Sequence, residues 1–469
     1  MKMDKVFRGP VIFPARKPAA SPHVLLVNPW IHDFAAYDFW AAPLGLLTLG
    51  AMLRQHGAGV SYVDCLDRFH PRLPDADPRA RSGRGPYLKT RIPKPAGMED
   101  IPRNYCRYGI LPEWFEADLK SLPRPDLVLV TSMMTYWYPG VQEAIAIVKT
   151  VFPEVPVILG GIYATLCREH AVRFSGADRV IAGAGETRLF AAIERLIGWS
   201  VIPETDPQDL DSLPFPVADL QRKIPFVPLL TSTGCPFSCA YCASGYLNTR
   251  HRLRSADRIL EEIRFWNSRY GVRDMAFYDD ALLVDAGHHA IPLFEKIIAS
   301  GLGKTVRFHT PNAVHIREIT QETAGLMAAA GFQTLRLGLE TTAGDRRDMD
   351  HKVTRKEFLA AVSCLKSAGF RRDQIGAYLL TGLPGQSWDS VAASVETVQK
   401  AGITPVPAHF TPIPHTALWP AAVASSRYDL ASDPIFTNNA IFPCQKEAFS
   451  WEPLIRLKNM IKAAAFPAE

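Results

Sequence analysis

No uninterrupted apolar run in these 469 residues is long enough to span a bilayer. The opening Met1-Lys2-Met3-Asp4-Lys5 lacks the apolar core of a signal peptide. Short-period repeats and low-complexity tracts are missing too, which leaves an ordinary folded chain. Net charge is modest at +5, too small by itself to imply a polyanionic partner. What is present is a globular composition, 47% hydrophobic and 21% charged, and a length that calls for two or three domains. Eight cysteines without a secretion signal point to a reducing, cytoplasmic setting and to metal use, not disulfides.

The basic segment Arg79 to Lys94, with Arg81, Arg84, Lys89 and Arg91, is expected to be a solvated loop. Neither an aromatic platform nor a nucleic-acid module accompanies it in sequence, so nucleic acid is not expected as a partner.

The cysteines are not evenly spread. Cys235, Cys239 and Cys242 stand in Thr233-Gly234-Cys235-Pro236-Phe237-Ser238-Cys239-Ala240-Tyr241-Cys242, a C-x-x-x-C-x-x-C spacing. Three soft thiolates this close can hold three corners of a cubane iron–sulfur cluster. Zinc would want a fourth ligand, usually from a second pair, and a redox disulfide would leave one cysteine idle. The next cysteines are remote, at Cys364 and Cys444. One iron would therefore stay open to a substrate or cofactor, which favours a catalytic cluster over an electron carrier.

This loop resembles the signature of the radical S-adenosylmethionine (radical SAM) enzymes, with Tyr241 as the aromatic before the third cysteine. The resemblance implies a 4Fe–4S cluster whose open iron is chelated by SAM. It also implies reductive cleavage of SAM to methionine and a 5′-deoxyadenosyl radical, fed by an external donor such as flavodoxin or ferredoxin.

From residue 228 onward strand and helix alternate. Strands are predicted at 228–233, 274–280, 305–310, 334–340, 375–381 and 406–411, with an amphipathic helix over Ser255 to Tyr270. Such units in series predict a parallel sheet curling toward a barrel, with chemistry at the strand C-termini. The family's partial barrel of six such units agrees. By resemblance, Asp280 falls where the SAM amino group is met, and Asn312 ends the third strand near the cofactor. Glu340 meets the ribose or amino acid moiety, and Gly382 and Pro384 let backbone approach the adenine. His415 stands where the family usually has glycine. An N-cap role is the alternative for the Asp279-Asp280 pair, and a simple turn for Gly382 to Gly385.

The N-terminal half reads as a doubly wound α/β domain, with strands at 24–27, 59–64, 127–131, 157–159 and 179–182 and a helix over 44–55. No G-x-G-x-x-G follows its first strand, which weakens a dinucleotide reading. The order resembles the cobalamin-binding domain that precedes many radical SAM domains. Ser132, Gly160 and Gly161 then fall where that fold packs the nucleotide tail of cobalamin. The D-x-H-x-x-G motif that gives cobalt a histidine is absent, Asp64 to His70 being the nearest segment. The aromatic run Asp33 to Trp40 lines a corrin face, a substrate channel or a domain interface. Cys65, Cys106 and Cys167 read as small buried residues.

The expected layout is a cobalamin-binding-like domain over 21–200, a linker over 201–227, a radical SAM barrel over 228–420 and a helical extension over 421–469. The expected function is radical SAM chemistry on a small-molecule or unknown substrate, with methyl transfer to an unactivated carbon where cobalamin is bound. Two alternatives are a radical SAM enzyme whose N-terminal domain only docks substrate, and a non-catalytic iron–sulfur sensor.

Overall fold

The computed structural model describes residues 21–342, 353–447 and 450–465, so the opening Met1 to Lys5 lies outside the described residues. Two compact units emerge. One holds the described residues up to 99, with 103–224 and 431–436, and the other holds 100–102, 225–430 and the described residues from 437 onward.

In the first unit β1 (His23–Asn28), β2 (Gly59–Asp64), β3 (Leu127–Val130), β4 (Val157–Leu159) and β5 (Arg179–Val180) form one parallel sheet in the order β2-β1-β3-β4-β5. Order reverses beside β1, and in open α/β sheets the crevice beyond the strand C-termini at such a point receives ligands. Val24 to Val27 are almost wholly buried, as expected of a parallel strand covered on both faces. Helices α1 (Leu44–Gln55) and α4 (Gly185–Ile197) pack one face through Leu47, Met52, Leu189 and Ile193, while α2 (Tyr138–Val151) and α3 (Ile162–Leu166) follow β3 and β4. Trp199 and Val217 join that core, and the Val217 N–H donates to Leu47 O at 3.1 Å.

A small antiparallel sheet of Ile31–Asp33, Cys106–Tyr108 and Lys89–Arg91 is added to the doubly wound plan. Its strands are three residues long, too short to show an alternation in sequence. It brings the basic segment against the aromatic run. Arg81 donates to the Tyr37 hydroxyl at 3.2 Å, Arg84 lies over the Trp40 ring at 4.6 Å, and Trp40 Nε1 donates to Ser82 O at 2.7 Å. The expectation of a basic loop without aromatic company is thus corrected: the aromatics come from an earlier loop, which linear spacing hides.

In the second unit β6 (Val227–Leu229), β7 (Asp274–Phe277), β8 (Arg307–His309), β9 (Phe332–Glu340), β10 (Ile375–Thr381) and β11 (Thr404–His409) stand in chain order, all parallel. Crossovers include α5 (Ala256–Tyr270), α6 (Ala290–Ala299), α7 (Gln321–Ala330), α8 (Arg355–Ser367) and α9 (Trp388–Lys400). A run of parallel neighbours joined by same-handed helical crossovers curls, which gives the partial barrel. Local sequence sets the helix ends. Ser255 caps α5 by accepting from the Arg258 N–H at 3.2 Å, and Thr354 with Glu357 forms a reciprocal capping box on α8. Phe277, Phe308 and Phe332 cluster at the sheet's core, with ring centroids 5.3 to 5.6 Å apart. No helix among the described residues is long and apolar enough to cross a membrane.

Candidate functional site

The first strand is shorter than expected. It ends at Leu229, and Ser232–Thr233 turn away to pair antiparallel with Arg252–Leu253. The cause lies on the neighbouring strand end. Asp279, 3% exposed, accepts at Oδ1 from the Thr231 N–H (3.0 Å), the Thr231 hydroxyl (2.6 Å) and the Ser232 hydroxyl (2.7 Å). His289 Nε2 meets the same Thr231 hydroxyl at 2.8 Å, and burial pushes this imidazole down to about 4, so it is neutral. Asp279 therefore fixes the point from which the cysteine loop departs. The sequence reading offered a cap role for the pair without separating its members.

Gly234, at φ 76°, opens the loop, and a Cβ there would lie 2.4 Å from Arg250 O, a contact only glycine avoids. Cys239 is buried, Cys235 half-buried and Cys242 exposed, with Tyr241 half-buried between the last two. Ser244 joins Cys242 to the next strand. Its N–H donates to Cys242 Sγ at 3.4 Å, its hydroxyl lies 3.3 Å from that sulfur, and the same side chain bonds the Asp280 carboxylate. Asp280 is held above the usual carboxylate range, first by burial. Burial also raises the Cys235 thiol, as do the nearby Cys239, Asp280 and Cys242. As they stand, the described side chains include no group of three or more His, Cys, Asp or Glu placed to hold a metal ion. The donor set nevertheless fits a cluster: three soft sulfurs stand in one loop, and bound iron would hold them as thiolates.

The other expected residues gather at the same strand ends. Asn312 donates to Tyr278 O at 2.8 Å, tying the third strand's loop to the second. Glu340 ends β9 at 7% exposure with a left-handed φ of 62°, beside a break in register between β9 and β10. Its Oε1 lies 3.2 Å from where a Gly338 Cβ would stand, and its charge adds to burial, the larger cause, in raising the Tyr378 phenol. Gly382 has φ 84°, and a Cβ there would meet the Phe442 ring at 2.7 Å, so this chain's own aromatic lies against it. Its N–H donates to Gln386 Oε1 at 2.9 Å, and Pro384 is half-buried in the turn that follows. His415, with φ 69°, stacks on Tyr246 at 4.3 Å, and Leu418 N–H donates to Ala240 O at 2.8 Å. The last strand's loop is thereby tied to the cysteine loop. His315 went unnoticed in the sequence: its Nε2 lies 3.7 Å from Cys235 Sγ. Its signal was only a place in the third strand's loop.

In the first unit Ser132, Gly160 and Gly161 interlock. The Ser132 hydroxyl donates to Gly160 O at 2.7 Å and accepts from the Ala164 N–H, and Ser132 O accepts from the Ile162 N–H at 2.8 Å. Gly161, at φ 97°, would drive a Cβ to 2.2 Å from Ser132 O. Beside Gly160 the nearest atom to a Cβ is 3.9 Å away, and Gly183 would meet nothing within 4 Å. Bare backbone thus lines the C-terminal ends of β4 and β5, a surface that fits a bulky group lying close. His70 is turned away from any such group: it is 4% exposed, stacks on Trp114 at 5.0 Å and lies 3.4 Å from Asp118. Cys65 and Cys106 are buried and Cys167 is half-buried, all three free, with the Cys167 thiol pushed up to about 12 by burial.

Comparison with known proteins agrees with this geometry. Residues 229–398 match the radical SAM superfamily, and residues 104–193 match the B12 binding domain. An uncharacterized methyltransferase of Pyrococcus horikoshii is 25% identical over 388 residues, covering 73% of this chain and 82% of that one. The cytidylyl-2-hydroxyethylphosphonate methyltransferase of Streptomyces wedmorensis is 22% identical over 448 residues, covering 81% and 78%. Among solved structures, the radical SAM methyltransferase TsrM of Kitasatospora setae, with cobalamin and a [4Fe-4S] cluster bound, aligns with a TM-score of 0.62. The identity is 17% and coverage is 85% of this chain and 77% of that one, a likeness of fold. The chain carries a B12 binding domain ahead of a radical SAM domain, the pairing of cobalamin-binding radical SAM proteins, and these domains imply a 4Fe–4S cluster, SAM and cobalamin as cofactors.

Proposed function

We propose that the chain is a cobalamin-dependent radical SAM methyltransferase acting on an unactivated carbon of a small molecule. The observation that carries this reading is the cysteine loop, anchored by Asp279 at the C-terminal end of a parallel six-strand sheet, in a chain that also matches the B12 binding domain. Both relatives named above are methyltransferases. When bound, the cluster and SAM supply a hydrogen-abstracting 5′-deoxyadenosyl radical, and cobalamin supplies the methyl group.

In this reading Cys235, Cys239 and Cys242 hold the cluster, leaving one iron for SAM. Asp280 lies beside the loop and faces the SAM amino group, as an anion opposite a cation. Glu340 accepts from the ribose or the amino acid moiety, its left-handed backbone fixing where the carboxylate stands. Asn312 holds the second and third strand ends together, and Tyr241, Gly382 and Pro384 shape the wall near the adenine. Gly160 and Gly161, held in place by the buried Ser132, present bare backbone to the cobalamin tail. With His70 packed on Trp114, no imidazole from the Asp64 to His70 segment reaches the metal. The domain layout, 21–200 and 228–420 with a connecting segment and a C-terminal extension, belongs to the same reading. So do a cytoplasmic setting and a flavodoxin or ferredoxin as reductant.

The test is cobalamin and iron content of protein purified anaerobically from cobalamin-supplied cells, with 5′-deoxyadenosine release for wild type and Cys239→Ala. Near-stoichiometric cobalamin, four irons and SAM cleavage that vanishes in Cys239→Ala are expected. Cleavage retained in Cys239→Ala would sink the cluster assignment. An intact cluster without cobalamin would make the first unit a substrate-docking domain.

A further inference from the structure

Beside the cluster loop stands a side chain that the radical chemistry does not itself require. His315 Nε2 lies 3.7 Å from Cys235 Sγ, and the Phe237 ring packs on the imidazole with centroids 4.4 Å apart. The contact is built rather than incidental. Val314 and Ile316, on either side of His315, are each 2% exposed. The Val314 N–H donates to Arg336 O at 2.8 Å and its carbonyl accepts from the Gly338 N–H at 3.3 Å, which clamps this loop onto β9. Two buried anchors and two backbone bonds thus hold the imidazole over one corner of the loop. Phe237, 36% exposed, covers the outer side.

We propose that His315 is a positioning residue that donates an Nε2–H hydrogen bond to the Cys235 thiolate and thereby raises the reduction potential of the cluster. A donor at a ligating sulfur draws off thiolate charge and stabilises the reduced, more negative cluster, and hydrogen bonds to sulfur are among the determinants of cluster potential. Phe237 strengthens the effect by keeping water from competing for the sulfur. The inference rests on the cluster assignment to Cys235, Cys239 and Cys242.

The test is EPR-monitored redox potentiometry of the cluster in anaerobic wild type, His315→Leu and His315→Gln, alongside pulsed EPR of the reduced wild type. Iron and sulfide content and the presence of a cluster signal in wild type check the underlying assignment separately. Given a cluster, a weak nitrogen coupling in wild type is expected, lost in His315→Leu. The midpoint potential should move to more negative values in His315→Leu and return toward wild type in His315→Gln, which keeps an N–H donor. Unchanged potentials in both variants, or a wild-type cluster without nitrogen coupling, would overturn the proposal. So would a strong coupling, which would make His315 an iron ligand. If His315→Leu does not retain a cluster, the presence or absence of the weak nitrogen coupling in wild type still decides the matter.

Discussion

Thr231 and Asp279 are joined twice, through the Thr231 N–H at 3.0 Å and its hydroxyl at 2.6 Å, both donating to Asp279 Oδ1. With the Ser232 hydroxyl this makes three donors on one buried oxygen, at the root of the cysteine loop. Asp279→Ala strands the Thr231 N–H and the Ser232 hydroxyl, whereas the Thr231 hydroxyl keeps His289 Nε2 at 2.8 Å, and leaving buried donors unpaired costs about 1–3 kcal/mol each. Reduced iron retention and a lower Tm are expected. Asp279→Asn keeps an acceptor at the same place and should retain more iron than Asp279→Ala. Iron assay and thermal melts of the two variants check this. Equal iron in wild type and Asp279→Ala would mean that the loop holds its shape unaided.

Glu340, proposed above to meet SAM, has a backbone that prefers glycine. A non-glycine residue at φ 62° carries strain of about 1–3 kcal/mol, which Glu340→Gly releases. Glu340→Gly should therefore keep or raise Tm while SAM affinity falls by about tenfold or more, the equivalent of losing one charge-assisted hydrogen bond. Equilibrium binding of SAM to the cluster-loaded protein, beside a melt, reads both. Undiminished SAM binding would remove Glu340 from the cofactor site.

His415 poses the same conflict without the carboxylate. At φ 69° it stacks nearly parallel on Tyr246 at 4.3 Å. Ring stacking contributes about 0.5–1.5 kcal/mol, comparable with the left-handed penalty. His415→Gly should thus be close to neutral, whereas His415→Ala loses the stack, keeps the strain and should be less stable by about 1 kcal/mol. Denaturant midpoints of the two variants check the order, and His415→Ala matching His415→Gly would show that the backbone at 415 relaxes.

Sequence reading reached some of this and missed the rest for identifiable reasons. The strands Gly59–Asp64, Val157–Leu159 and Ile375–Thr381 and the helix Leu44–Gln55 were legible to the residue, because apolar runs there end at turn residues. The departure of His415 from glycine was legible too, although only coordinates show why glycine suits the place. The split roles of Asp279 and Asp280 were not, since adjacent side chains point to opposite sides of a strand end and sequence does not say which faces inward. His315 was invisible because its partner lies 80 residues away. The same holds for Phe442, whose ring lies against Gly382 from 60 positions downstream.

The first unit carries a carboxylate whose titration reports on its packing. Asp64 ends β2 and accepts at Oδ1 from Asn28 Nδ2 and from the Leu66 N–H, each at 2.8 Å. Burial, and then the nearby Asp67, nonetheless push it from 3.8 up to about 6. A carboxyl raised in the folded state binds its proton more tightly there than in the unfolded chain. Its contribution to stability is therefore greatest below the unfolded value, falls as pH rises through the interval up to about 6, and stays lost above it. Asp64→Asn keeps an oxygen for both donors and removes the charge. The variant's Tm advantage over wild type should be small near pH 4, grow toward pH 6 and level off by pH 7. At about 1.4 kcal/mol per pKa unit the plateau is a few kcal/mol at most, or several degrees. Melts of both proteins across this range decide it. A difference that does not vary with pH would mean that Asp64 ionises as an ordinary surface carboxylate, with water reaching the end of β2 beside Asn28.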